Sequence, residues 1–287
     1  MTASDADASD THSYSLVTGP TEGSVTIDPD GAYQFDPGGD FQDLAVGETR
    51  DATFVYEVED SQGATSQETI TITVTGTNDG PVAEAGTNAA TEDGAVVSGT
   101  LTASDADASD THSYSLVTGP TEGSVTVDPD GAYQFDPGSD FQDLAVGESR
   151  DVTFVYEVED SQGATSQETI TITVTGTNDG PVAEASTNAA TEDGAVVSST
   201  LTASDADASD THSYSLVTGP TEGSVTVDPD GAYQFDPGSD FQDLAVGESR
   251  DVTSVYEVED SQGATSHEMI TITVTGTKDG PVGDAVK

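Results

Sequence analysis

A period of 100 residues, free of insertion or deletion, constrains this chain more than any other feature. The stretch Ser4-Asp5-Ala6-Asp7-Ala8-Ser9-Asp10 returns at 104–110 and at 204–210. Residues 1–100 and 101–200 differ at seven positions, and 101–180 and 201–280 at four. The period is too long for a helical solenoid or a propeller blade and suits a whole β-sandwich domain. The 287 residues therefore read as beads on a string, each burying its own core.

Within one period the apolar residues alternate with polar ones, which is the signature of half-buried strands rather than helices. In the middle copy Thr91-Glu92-Asp93-Gly94 reads as a polar turn. Residues 95–102 follow as a short strand that points Val97 and Leu101 inward. Beyond the acidic loop 105–110, Tyr114 and Leu116 mark a second strand, and Val125 and Val127 a third. Asp128-Pro129-Asp130-Gly131 is a hairpin turn: Pro presets φ at its second position and Gly supplies the positive φ at its exit. Tyr133 and Phe135 lie on the returning strand, and 140–147 tucks Phe141, Leu144 and Val146 against the core. The two longest strands place Val152, Phe154, Tyr156 and Val158, then Ile170, Ile172 and Val174, on one face, with a comb of Thr on the other. The fold class that follows is all-β, tandem antiparallel β-sandwiches of about seven strands each.

Pro lacks the amide proton a ladder uses, so Pro81 and Pro181 set the expected boundaries: units 1–81, 82–181 and 182–281, then a tail 282–287. On this frame the first unit lacks its first strand and shows an unpaired edge. Met1 stands where the other copies have Leu101 and Leu201, as in a piece of a longer array. The third unit carries Ser254 where the others have Phe54 and Phe154. Loss of a buried Phe costs roughly 3–5 kcal/mol, so this unit is expected to melt first.

The net charge is −50, and residues 101–200 hold 19 acidic side chains against the single base Arg150. Such a surface argues against nucleic acid and anionic membrane, whose binding needs Lys and Arg. Cys is absent, which excludes disulfides and thiolate metal sites. No apolar run reaches the roughly 18–20 residues of a membrane span, and nothing at the N-terminus resembles a signal peptide.

The acidity converges in particular places. Asp105, Asp107 and Asp110 lie within six residues, as do Asp205, Asp207 and Asp210, with Asp5 and Asp7 their first-copy counterparts. Such crowding favours a hard divalent cation, calcium above all, which takes six to eight oxygens. Asp105 and Asp107, at i and i+2, would point oppositely in an extended chain and converge only if the loop curls. No EF-hand is present, since the sixth-position Gly and twelfth-position Glu are missing. Further oxygens recur at Glu159 and Asp160, at Asn178 and Asp179 with their counterparts Asn78 and Asp79, and at Glu192 and Asp193. A seam site joining Asn178 or Asp179 to Asp205, Asp207 and an acid of the second unit would stiffen the joint. Asp128 and Asp130 serve better as turn formers.

The runs Thr91-Glu92-Asp93-Gly94 through Asp107, Asp130-Gly131-Ala132-Tyr133, 154–160 and 175–183 resemble the VCBS-type repeat of large bacterial surface proteins and the related bacterial cadherin-like domains. The resemblance covers essentially the whole chain. It implies an extracellular, immunoglobulin-like β-sandwich module, usually in tandem, in adhesins or biofilm-associated proteins. It also implies Asn178 and Asp179 as linker calcium ligands, joined by Asp205 and Asp207 of the following domain. Lys278 replaces the seam Asn in the last copy, where the site is expected to be lost.

For an enzyme, a nucleophile with its base or a catalytic metal triad is needed. The chain has no HExxH and no glycine-rich phosphate loop before a helix, and His12, His112 and His212 are one residue repeated. The reading is a structural extender whose partners are neighbouring repeats of a longer chain. The alternative is a surface module that binds a glycan or another adhesin.

Overall fold

The structure, a computed structural model, describes residues 1–7 and 9–280. The second repeat shows the complete unit and supplies the strand labels: β1 (Val82–Ala83), β2 (Gly86–Thr91), β3 (Val97–Thr100), β4 (Ala103–Ser104), β5 (Ser113–Thr118), β6 (Ser124–Val127), β7 (Ala132–Asp136), β8 (Ser149–Glu159) and β9 (Thr165–Thr175). The third repeat has the same nine strands, from Val182–Ala183 to Thr265–Thr275.

One sheet runs β5-β8-β9-β2 and the other β6-β7-β3, with β1 and β4 paired separately. The β8–β9 hairpin is in register over its whole length, from Ser149↔Thr175 to Glu159↔Thr165. The period-2 pattern puts Phe154, Tyr156, Val158, Ile172 and Val174 inside, each at most 1% exposed, and leaves the Thr comb on the outer face. β7 adds Tyr133 and Phe135 from the facing sheet. Its hairpin with β6 closes through Gly131 N–H to the Asp128 carbonyl at 2.9 Å, with Gly131 at φ +89° as the turn requires.

Three features differ from the sequence expectation. β2 is a strand that its composition conceals, and it pairs parallel to β9, with Ile170 opposite Gly86 and Thr175 opposite Thr91. Of the expected 95–102 strand only Val97–Thr100 forms (β3), and the separate β4 at Ala103–Ser104 follows it in a different pairing. In the 137–148 loop Phe141 and Leu144 are buried, but Val146 is 53% exposed and Ala145 turns inward instead. That loop has no strand period, so alternation misassigns it. Arg150 pins it in place, bonding Glu122 at 2.9 Å and Asp143 at 2.7 Å above the Phe141 ring.

Tyr156 positions the linker side of the unit. Its hydroxyl lies 2.8 Å from both the Glu84 and Thr102 carbonyl oxygens and accepts the Glu84 N–H at 2.9 Å. This ties the short β1–β4 pair, and the chain entering it, to the centre of the core. Tyr156→Phe is expected to cost about 1–3 kcal/mol by stranding these groups, read as a lower urea midpoint with unchanged slope.

Candidate metal centre

Between the second and third repeats three carboxylates meet from three parts of the chain. Glu92, Asp179 and Asp207 each bring an oxygen within 4.8 Å of the other two. Glu92 follows β2, whose ladder continues through Glu92 N–H to the Thr175 carbonyl at 3.1 Å. Its side chain turns back to accept the Thr177 N–H and, at 3.1 Å, the Thr177 hydroxyl. Asp179 lies in the linker between β9 and the strand at Val182–Ala183. Asp207 belongs to the acidic loop of the third repeat and accepts the Asp179 N–H at 2.9 Å.

A second cluster lies at the linker end of each complete repeat. Asp105, Asp110 and Asp160 meet in the second repeat, and Asp205, Asp210 and Asp260 in the third. The preceding linker reaches each: Asn78 Nδ2 donates to Asp160 at 2.9 Å, and Asn178 Nδ2 to Asp260 at 2.9 Å. Asp160 also accepts the Gln162 and Ala164 N–H groups at 2.8 Å through its other oxygen. His112 Nε2 sits 3.0 Å from Asp105 and His212 Nε2 2.9 Å from Asp205.

The loop does curl, since Asp205 Oδ1 accepts the Asp207 N–H at 3.1 Å and the Asp207 carbonyl accepts the Asp210 N–H at 3.0 Å, yet the carboxylates of Asp205 and Asp207 enter different groups. Asp205 faces its own repeat while Asp207 faces the seam, so adjacent clusters share one loop. Asp79 offers its N–H to Asp107 at 2.7 Å, as Asp179 does to Asp207. In the first repeat Asp5, Asp7 and Asp10 converge in a more open setting. Glu192 and Asp193 meet Asp279 beside Lys278. Glu159 is exposed at the end of β8 and joins none of these groups. Asp10, Glu92, Asp260 and Asp279 are cluster members that sequence reasoning passed over. The period was the available signal, since they lie 100 residues from Asp110, Glu192, Asp160 and Asp179.

The electrostatics point one way. Among the described residues, nine buried side-chain polar atoms lack a hydrogen-bond partner, and all nine are carboxylate or amide oxygens of these loops and linkers. They include Glu92 Oε2, Asp179 Oδ2, Asp207 Oδ1, Asp110 Oδ2 and both linker Asn Oδ1 atoms. Buried acceptors are normally satisfied, and a set made only of hard oxygens is the donor set of a divalent cation such as calcium. Burial raises Glu92 above the ordinary carboxylate value, against the pull of its Thr177 hydrogen bonds. Asp179 is raised by burial and then by the charges of Asp93 and Asp205. Asp207 is raised by burial and by neighbouring Asp179, despite the Asp179 N–H. The Asn78 amide instead holds Asp160 below its usual range.

A search of curated proteins gives no match. Among solved structures the chain resembles protocadherin gamma B2 extracellular cadherin domains 1–5, with TM-score 0.65 and 18% identity, over 93% of this chain and 53% of that one. It therefore spans about half of that relative's length. Mouse cadherin-23 EC22–24 matches with TM-score 0.61 and 19% identity, over 93% of this chain and 86% of that one. Mouse protocadherin-24 EC1–3 matches with TM-score 0.55 and 16% identity, over 93% and 90%. At these identities the likeness is one of fold. A family model described as the bacterial cadherin-like domain matches residues 1–76, 78–176 and 178–276. With each of its three repeats matched in turn, the chain belongs to the bacterial cadherin-like domain family.

Proposed function

We propose that this chain is a calcium-stiffened extender, a run of near-identical sandwich units that holds other parts of a surface or secreted adhesin at a distance. The family is an extracellular and cell-surface one. The observation that carries the reading is the Glu92–Asp179–Asp207 group, whose members come from one repeat, the linker and the next repeat. A cation shared by the three would resist bending at the joint. Without it, like charges crowd a buried seam, and the linker has only a few hydrogen bonds to hold its angle. Near identity of the repeats suits a spacer, in which length matters more than any unique surface.

Calcium would be held by Glu92, Asp179 and Asp207 at the seam, and by Asp205, Asp210, Asp260 and the Asn178 amide oxygen in the adjoining cluster. Its contribution is charge neutralisation and a fixed ligand geometry. Small-angle scattering with EDTA and then with millimolar calcium tests this. The expected result is a larger radius of gyration and a rod-like cross-section with calcium, lost again on chelation. Identical profiles would exclude the stiffening role, and a glycan-array signal from the same samples would favour the binding role instead.

A further inference from the structure

His112 and His212 sit against the carboxylate clusters without belonging to them. His112 stands one residue before Ser113, whose pairing with Glu159 anchors β5 to the end of β8. The Tyr114 N–H then fixes the chain through the Pro129 carbonyl at 3.1 Å. The imidazole is therefore carried on a rigid strand start and not on the acidic loop itself. Its Nε2 lies 3.0 Å from Asp105 Oδ2, and His212 Nε2 lies 2.9 Å from Asp205 Oδ2. An ionised carboxylate only accepts, so Nε2 carries the proton and donates it. The pair is enclosed: the Asp105 and Asp205 side chains are each 4% exposed.

We propose that His112 and His212 are positioning residues for calcium, each locking one ligand carboxylate, Asp105 or Asp205, in the direction its cluster needs. The proposal rests on calcium occupying these clusters. Every carboxylate of the second-repeat cluster has a partner that orients it. Asp160 accepts the Asn78 amide and the Gln162 and Ala164 N–H groups, and Asp110 accepts the Ser161 hydroxyl at 3.0 Å. Asp105 has two such partners, the Asp107 N–H on Oδ1 at 3.0 Å and His112 on Oδ2. The first bond is local and leaves the carboxylate free to pivot about the bonded oxygen. The imidazole, seven residues away, removes that freedom. Each oxygen has two acceptor sites, so one hydrogen bond apiece still leaves a lone pair for a cation. In the first repeat the local bond persists at 2.9 Å while His12 stands 3.5 Å from Asp5, so the two restraints are separable. Partners one bond out from a metal ligand typically contribute about 10–100-fold in affinity.

The lock reaches the seam as well. Asp205 Oδ1 accepts the Asp207 N–H at 3.1 Å, and the Asp207 carboxylate in turn accepts the Asp179 N–H at 2.9 Å. Holding Asp205 from His212 thus fixes the turn from which Asp207 enters the seam group. A ligand built on a loop is placed precisely only when its own partners are rigid, and the strand that begins beside His212 supplies that rigidity.

The experiment titrates calcium into the full chain by calorimetry and melts the same samples in EDTA and in calcium. His112→Leu with His212→Leu keeps much of the volume and removes the donor, whereas Gln at both positions returns an Nε2 donor of similar reach. The Leu pair should lose about 10–100-fold in affinity over part of the isotherm, and the Gln pair should recover most of it. The calcium-induced melting rise of the second and third repeats should shrink by about 5–10 °C in the Leu pair. A packing role alone would lower both melts alike and leave the affinity untouched. His267 is the control: it pairs with Glu257 at 2.9 Å with its side chain 47% exposed, and His267→Gln should leave the isotherm unchanged. Unchanged affinity in the Leu pair, failure of Gln to restore it, or an equal loss from His267→Gln would each overturn the proposal. An unaltered chain that binds no calcium would overturn the calcium reading and the proposal together, whereas calcium binding that ignores the Leu pair would remove the histidines alone.

Discussion

Withdrawing calcium should lower the melting temperature of the second and third repeats by about 10–20 °C. A cation present at 100 times its dissociation constant adds about 2.7 kcal/mol, and a domain near 100 residues shifts by about 4–8 °C per kcal/mol. The seam should also invert the usual effect of losing a charge. In EDTA, Glu92→Gln or Asp207→Asn removes a buried carboxylate from a cluster of like charge and should raise the melting temperature by a few degrees. In calcium the same variants lose a ligand and should melt well below the unaltered chain. A variant that moves the same way in both conditions would remove the seam from the metal account.

The same groups set the sign of the pH response. Glu92, Asp179 and Asp207 lie above their ordinary values in the folded chain, chiefly through burial. Their charged forms therefore oppose folding, and the penalty is complete above the raised values. It is relieved as pH falls through them, because the folded chain then takes up protons more readily than the unfolded one. Metal-free stability should thus rise from neutral pH toward the upper edge of the carboxylate range. At lower pH the trend reverses. Asp43, Asp143 and Asp243 are held low by their Arg50, Arg150 and Arg250 partners, and their stabilising share disappears as they protonate. With calcium bound, protons compete with the cation and stability should fall with pH throughout. Urea melts at pH 5 and 7, with and without calcium, should give slopes of opposite sign.

How far the sequence reveals this arrangement depends on side-chain size. β8 and β9 are readable because Phe154, Tyr156, Ile170 and Ile172 alternate with polar residues over eleven positions each. β2 is not readable, since Gly86-Thr87-Asn88-Ala89-Ala90-Thr91 has no large apolar residue and Ala90 alone is buried. Its conformation is imposed by the open edge of β9, a non-local contact with no local signature. The acidic loop is an intermediate case. Asp205 and Asp207 were legible as candidate ligands, but which partner each would meet depended on the turn of the loop and the path of the linker. Glu92 was hidden by its place in an ordinary turn motif. The Thr177 groups that hold its carboxylate are 85 residues away.

Restoring phenylalanine at position 254 should not by itself stabilise the third repeat, whatever the sequence suggests. In the second repeat the Tyr133 ring lies over Gly99 and packs on Phe154 at 5.2 Å between centroids, and its hydroxyl accepts a hydrogen bond from Asn88 Nδ2 at 3.1 Å. The third repeat has Ser199 there, whose Cβ needs the space the ring would fill. Tyr233 has moved: its hydroxyl meets Ser186 Oγ at 3.2 Å, and it is 1% exposed where Tyr133 is 5%. Ser254, buried at 3%, stands where Phe154 packs on Tyr133 in the second repeat, so its small side chain would leave room for this shift. The Phe-to-Ser change is therefore partly absorbed, and its cost falls below the roughly 3–5 kcal/mol of a rigid cavity. Ser254→Phe alone would drive a ring into space Tyr233 now uses, at about 1–3 kcal/mol of overpacking. Combined with Ser199→Gly, which lets Tyr233 return, it should stabilise the repeat by about 2–4 kcal/mol. A double-mutant cycle on the full chain should show coupling above about 1 kcal/mol, within the range seen for residues in contact. In the second repeat Gly99→Ser and Phe154→Ser should each destabilise, while the pair together costs less than their sum. Additive effects at both places would mean that the tyrosine does not link them, and that the third repeat simply carries a hole.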